Sequence, residues 1–308
     1  MRKNISAFPL IIMTVLIFVA GCTNSKVPSP TTQTAVKATE TTVPTTTAKP
    51  IDPQALLERA VDHFVEASDF RMSTHEVVSY QAIAADGTTR MIYGEFKTNY
   101  DYLRDPEAKV RVGSQFRYGP DSDFIGEEYY LFEEEGKAFI LTFEEDGVPV
   151  VEETGGEKVD KLVGDAYQAV LQFGKAAQFT EQDGDELVYT LDHPEWYTLQ
   201  GAIGFADLGL LYAQPDGDRL VRQYAEEMYP DLQPVRFVLY VSITDEVITK
   251  VELDNRAFML SFWDAYDQAL IDHGADPAQL TKYDIQPEHG TTVLFSDYDE
   301  VPDFDIPK

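Results

Sequence analysis

Three things are scarce in this chain of 308 residues, and each scarcity closes a class of explanation. Cys22 is the single cysteine, so no internal disulfide can form and a folded body must be stable by burial alone. Cations are few: 24 lysines and arginines stand against 54 carboxylates. Five of those cations and only one acid, Glu40, precede residue 51, so the body 51–308 holds 19 basic and 53 acidic residues, a net charge of −34. Such a surface excludes nucleic acid, whose phosphates are bound through Lys/Arg neutralisation. It also disfavours direct adsorption to anionic lipid. Long apolar runs are lacking too, for the stretch Phe8–Ala20 falls short of the ~18–20 residues that span a bilayer.

Catalytic patterns are equally sparse. The five histidines, His63, His75, His193, His273 and His289, stand in no H-E-x-x-H setting, and there is no C-x-x-C pair. No G-x-S-x-G, P-loop or dinucleotide fingerprint occurs. Carboxylate pairs are so common that pairing says nothing about glycosidase chemistry. Asp121, Asp123 and Gly126 open like a calcium loop, but Ile125 and Phe132 occupy positions where its ligands belong. The sequence therefore nominates no catalytic residue, no metal ligand and no cofactor site, and the expectation is a non-enzymatic protein.

What is present begins with an address. Arg2 and Lys3 precede the apolar run, and small residues follow it, the pattern of an export signal. Val19-Ala20-Gly21-Cys22 resembles the lipobox of bacterial lipoproteins. That resemblance implies a signal peptide over 1–21, a diacylglyceryl group on the Cys22 thiol, and Cys22 as the mature N-terminus. The implied location is extracytoplasmic, on the outer face of a Gram-positive cell membrane. Residues 23–50 follow as a linker in which ten of 28 residues are Thr and four are Pro. It cannot bury enough apolar surface to offset chain entropy, and as a coil it reaches roughly 30 Å.

The body, 51–308, opens with an amphipathic helix. Asp52 is placed to cap it and Pro53 suits its first position, ahead of Leu56, Leu57, Ala60, Val61, Phe64 and Val65. Six alternating stretches between Phe70 and Thr154 then read as an antiparallel meander, with turns such as Ala85-Asp86-Gly87 and Glu135-Gly136. A helix over Glu157–Gly174, a hairpin over Ala177–Asp192, helices across Pro194–Tyr229 and a second hairpin over Pro234–Arg256 come next. A helical stripe ending near Gly274 and a last strand, Thr291–Tyr298, complete the pattern. This is α+β: one curved antiparallel sheet with helices on one face.

With its lipobox, polar stalk, opening helix and the closing phrase Val293-Leu294-Phe295-Ser296-Asp297-Tyr298, the chain resembles the LolA/LolB lipoprotein-carrier superfamily and its LppX/LprG relatives. The likeness is greatest to uncharacterised Gram-positive members. It implies an unclosed β half-barrel, with helices packed on its concave face and an acyl chain between the two layers. Leu199, Ile203, Phe205, Leu208, Leu211 and Tyr212, with Phe258, Phe262, Trp263 and Tyr266, are the expected lining of such a site. The same stripes would serve as well to pack helices on the sheet, and periodicity does not choose between the two roles. The partners implied are the membrane, through Cys22, and a lipid or other hydrophobic ligand. The second reading is an envelope scaffold or sensor that meets a protein through its acidic surface.

Overall fold

A computed structural model describes residues 51–104, 107–144, 147–155, 158–163, 165–193 and 233–307. These lie within one compact unit, Pro50–Lys308. Cys22 and the expected leader and linker fall outside the described residues, as do the helices expected across 194–229. No helix among the described residues is long and apolar enough to cross a membrane.

Helix α1, Pro53–Glu66, starts where the sequence places it: Asp52 Oδ1 accepts from the amides of Gln54 and Ala55 at 3.1 and 3.3 Å. Leu56, Leu57, Ala60, Val61 and Phe64 are buried, whereas Val65, expected on the same stripe, is exposed at its edge. The meander follows as β1 (Asp69–Ile83), β2 (Thr89–Leu103), β3 (Lys109–Tyr118), β4 (Ile125–Glu134), β5 (Lys137–Phe143) and β6 (Pro149–Glu153). The single helix expected over 157–174 is a 3-10 turn, Val159–Leu162, followed by α2, Asp165–Phe173. Gly174 ends it close against α1, where a Cβ would stand 3.0 Å from Val61. Then come β7 (Gln178–Asp183), β8 (Glu186–His193), β9 (Val235–Ser242), β10 (Ile248–Asp254), α3 (Arg256–Asp272), β11 (Lys282–Ile285) and β12 (Gly290–Ser296).

The strands form one antiparallel sheet in the order β6-β5-β4-β3-β2-β1-β12-β10-β9-β8-β7. It does not close, and α1, α2 and α3 pack on its concave side: the half-barrel expected from sequence. The last strand in the chain thus lies in the middle, between β1 and β10. β11, which the sequence pattern did not reveal, pairs with the far end of the same β1 edge. Between β11 and β12, residues 286–289 bulge over Ser79. There Ser79 N–H donates to His289 Nδ1 at 3.2 Å, leaving Nε2–H to face Asn255 Oδ1 at 2.9 Å. Burial, then the Arg256 charge, brings the His289 pKa down to about 4, so this histidine is a neutral structural pin.

Candidate functional site: the inner face of the sheet

Because successive side chains on a strand point to opposite faces, the register sorts β1–β4 into an inner and an outer surface. The first inner row, Phe70–Tyr102–Val110–Leu131, lies beneath α1 and α2. Phe64 of α1 and Tyr167 of α2 place their rings 5.5 and 5.7 Å from that of Phe70. Met72–Tyr100–Val112–Tyr129 forms the second row. Burial, with the Glu127 charge, pushes the Tyr129 phenol up to about 12.

Beyond these rows the composition changes. The third row is Thr74–Thr98–Ser114–Glu127, three hydroxyls ending in a carboxylate, in which Thr98 Oγ1 and Ser114 Oγ are 3.4 Å apart. Glu76–Phe96–Phe116–Ile125 is next, then Val78–Gly94–Tyr118. Tyr118 meets Phe96 edge-on at 6.3 Å and Phe116 at 5.8 Å, so the three rings form an aromatic strip. Gly94 keeps its floor low, since a Cβ there would stand 3.0 Å from the Phe96 ring. Phe116 is buried, while Tyr118 and Ile125 remain exposed. An apolar strip beside a row of hydroxyls can take both ends of an amphiphile: methylenes on the rings, a polar group on the oxygens.

Helix α3 covers the other end of the inner face. Phe258, Phe262, Trp263 and Tyr266 share its buried side. Trp263 stacks on Tyr283 at 4.4 Å and leans on Tyr80 at 5.3 Å, so these side chains build the packed layer between helix and sheet. Asp267 sits beside them. Burial, then the charge of Asp264, raises its pKa to about 6. Its Oδ1, and the hydroxyl of Tyr283, have no hydrogen-bond partner among the described residues. On the outward side of α3, Ala257, Leu260, Ser261, Asp264 and Gln268 border a depression of about 490 Å³. No group of three or more His, Cys, Asp or Glu side chains placed to hold a metal occurs among the described residues.

Of the ten side chains expected to line a ligand site, the structure gathers the four on α3; Leu199, Ile203, Phe205, Leu208, Leu211 and Tyr212 lie outside the described residues. The strip of Phe96, Phe116, Tyr118 and Ile125 escaped the sequence reading. Its signal was the alternation within each strand, but only the hairpin registers bring the three segments into line.

No protein-family model and no curated protein matches the chain by sequence. Solved structures similar to it include LprF from Mycobacterium bovis, with 8% identity over 83% of this chain and 95% of that one, at a TM-score of 0.37. A DUF1329 family protein from Desulfovibrio piger matches with 11% identity over 81% and 94% of the two chains, at 0.25. A LolA superfamily protein from Nitrosomonas europaea matches with 10% identity over 83% and 96%, at 0.22. The half-barrel rests on the strand order given above.

Proposed function

We propose that the protein is a non-catalytic, extracytoplasmic lipoprotein, anchored through diacylglyceryl-Cys22, that binds a lipid or other hydrophobic ligand between sheet and helices. The observation that carries this reading is the inner-face strip of Phe96, Phe116, Tyr118 and Ile125, with two of its four side chains exposed. Each methylene removed from water contributes about 0.8 kcal/mol, so a chain of about a dozen carbons needs no charged contact to be held. The aromatic side of α3, at the other end of the inner face, is assigned to the binding layer between helix and sheet. Uptake of a fluorescent fatty acid, and lipid mass spectrometry after mild extraction, test the proposal. Saturable uptake that Ile125→Glu weakens supports it, and a delipidated body that takes up nothing overturns it.

A second reading is favoured by a depression of about 720 Å³ between α1 and the β9–β10 turn, bordered by Asp62, His63, Glu66, Asp245 and Asp299. An acidic hollow of this kind suits a basic patch on a protein partner. A partner recovered by cross-linking should then associate more slowly as salt is raised, and an association indifferent to salt would remove this reading.

A further inference from the structure

The hydroxyl row of the inner face is bordered by rings. On β2, Thr98 stands between Tyr100 and Phe96. On β3, Ser114 stands between Val112 and Phe116, and on β4, Glu127 stands between Tyr129 and Ile125. Side chains two residues apart on a strand share a face at about 7 Å, so each member of the row has an aromatic neighbour at that spacing. Glu127 sets the charge of the row. Outside, Asp101 and Glu95 are met by cations from neighbouring strands. Inside, Glu127 is exposed and makes no ion pair among the described residues. Its charge reaches the row, because the Tyr129 phenol is raised by burial and then by Glu127.

The inner face offers no cation near this row. Among the described residues of β1–β6, the register turns a single lysine or arginine inward: Arg90, opposite Ala82 at the far tip. Eight strand residues place it about 26 Å from Thr98. Arg104, just past β2, lies beneath the helices and donates to the Val65 carbonyl and the Tyr167 hydroxyl. A second carboxylate, Glu76, faces the same layer from β1, one row on. Hydroxyls alone suit a head group of either sign. With Glu127 and Glu76 and no nearby cation, an anionic head group meets only like charge. An ammonium meets opposite charge, hydroxyl acceptors and ring faces, which attract a cation within about 6 Å of their centroids.

We propose that the ligand of the inner face is an amphiphile with an ammonium head group, seated on Thr98, Ser114 and Glu127 with its chain along Phe116 and Tyr118. This rests on the ligand-binding reading above and names the class of ligand. Phe116 and Tyr118 lie about 7 and 13 Å beyond Ser114 on the same strand, so head and chain follow one line. The chain supplies most of the affinity through burial, and the row chooses the head group. A fatty acid is still held by its methylenes, with its carboxylate facing the wrong partners.

The test uses residues 22–308 with Cys22→Ser, which contain the whole compact unit Pro50–Lys308. Dodecyltrimethylammonium, laurate and dodecyl maltoside share a chain and differ in the head group, and each is titrated calorimetrically below its micellar concentration. At about 0.15 M salt the ammonium should bind about ten-fold tighter than laurate, with the maltoside between them. Glu127→Gln should cut that preference about five-fold and leave the maltoside unaltered. Glu134→Gln removes the same charge from the other face of β4 and should leave the preference intact. Both side chains are exposed, so neither variant should lower the melting temperature. An equal loss of preference in the two variants would assign the attraction to net charge and overturn the proposal. So would equal affinity for the three head groups, or laurate binding tightest, and either result leaves the ligand-binding reading in place. Uptake of none of the three would remove that reading itself, which tells the two failures apart.

Discussion

The two surfaces of β1–β3 come from the same strands and are held by different forces. Inside, Phe70, Met72, Tyr102 and Val110 are buried against helices and one another. Outside, the corresponding alternate positions hold Arg71, Ser73, Asp101 and Arg111, knit by ion pairs and the Ser73 Oγ–Asn99 hydrogen bond of 2.8 Å. The inner surface supplies stability, because burial scales with the area removed from water. The outer one contributes little net energy per exposed pair. What it supplies is a set of cross-strand ion pairs between β1, β2 and β3.

The sharpest way to break this contrast is to cut the inner side. Phe70→Ala removes a ring packed on Phe64, Tyr102 and Tyr167 and should cost about 3–5 kcal/mol in denaturant unfolding. Ser73→Ala, three residues along on the outer side, should stay within about 0.5 kcal/mol. A Phe70→Ala loss near that of Ser73→Ala would mean that the inner face is not the core.

Glu95 is an outer residue as buried as the core. Burial pushes its carboxyl up, but hydrogen bonds from Lys97, Arg117, Tyr93 and His75 outweigh it and bring the pKa down to about 2. A depressed carboxyl contributes stability that is complete above its unfolded value of 4.5 and is lost as pH falls toward 2. Glu95→Gln should cost about 2 kcal/mol at pH 7 and flatten that acid limb of the stability profile. An unchanged acid limb would place the stabilisation elsewhere.

Asp267 runs the other way. Its pKa rises from 3.8 to about 6 in the folded state, so stability is greatest with the acid protonated and declines as pH rises through that window. Asp267→Asn should therefore stabilise the protein by about 1 kcal/mol at pH 8 and leave it unaltered near pH 3.5. Thermal melts across that range decide the matter, and a destabilised variant at pH 8 would contradict it. The last substitution, Gly94→Ala, is read on ligand uptake. The new methyl group displaces the Phe96 ring, so weaker fatty-acid uptake is the readout, and unaltered uptake would exclude the strip from the site.

Much of the fold was legible because its signals are local. Asp52 and Pro53 marked the start of α1, turn glycines bounded the hairpins, and the α3 stripe foretold which side is buried. β11 was not legible: Lys282-Tyr283-Asp284-Ile285 is too short for alternation to show, and it pairs only because β1 outruns β12. The inner strip was hidden for a related reason. Phe96, Phe116 and Ile125 are unremarkable in three separate segments and become neighbours through hydrogen-bond register alone.

The place of β12 has a consequence in time. Strands β1–β6 and β7–β10 each pair locally, but the two groups are joined through Gly290–Ser296, which follows both of them in the chain. Contacts of such sequence separation form late. A growing chain thus lacks its central seam until both strand groups have been made. A chain arrested before Gly290 should be cut by protease between its two strand groups, and addition of the last strand should abolish that cleavage.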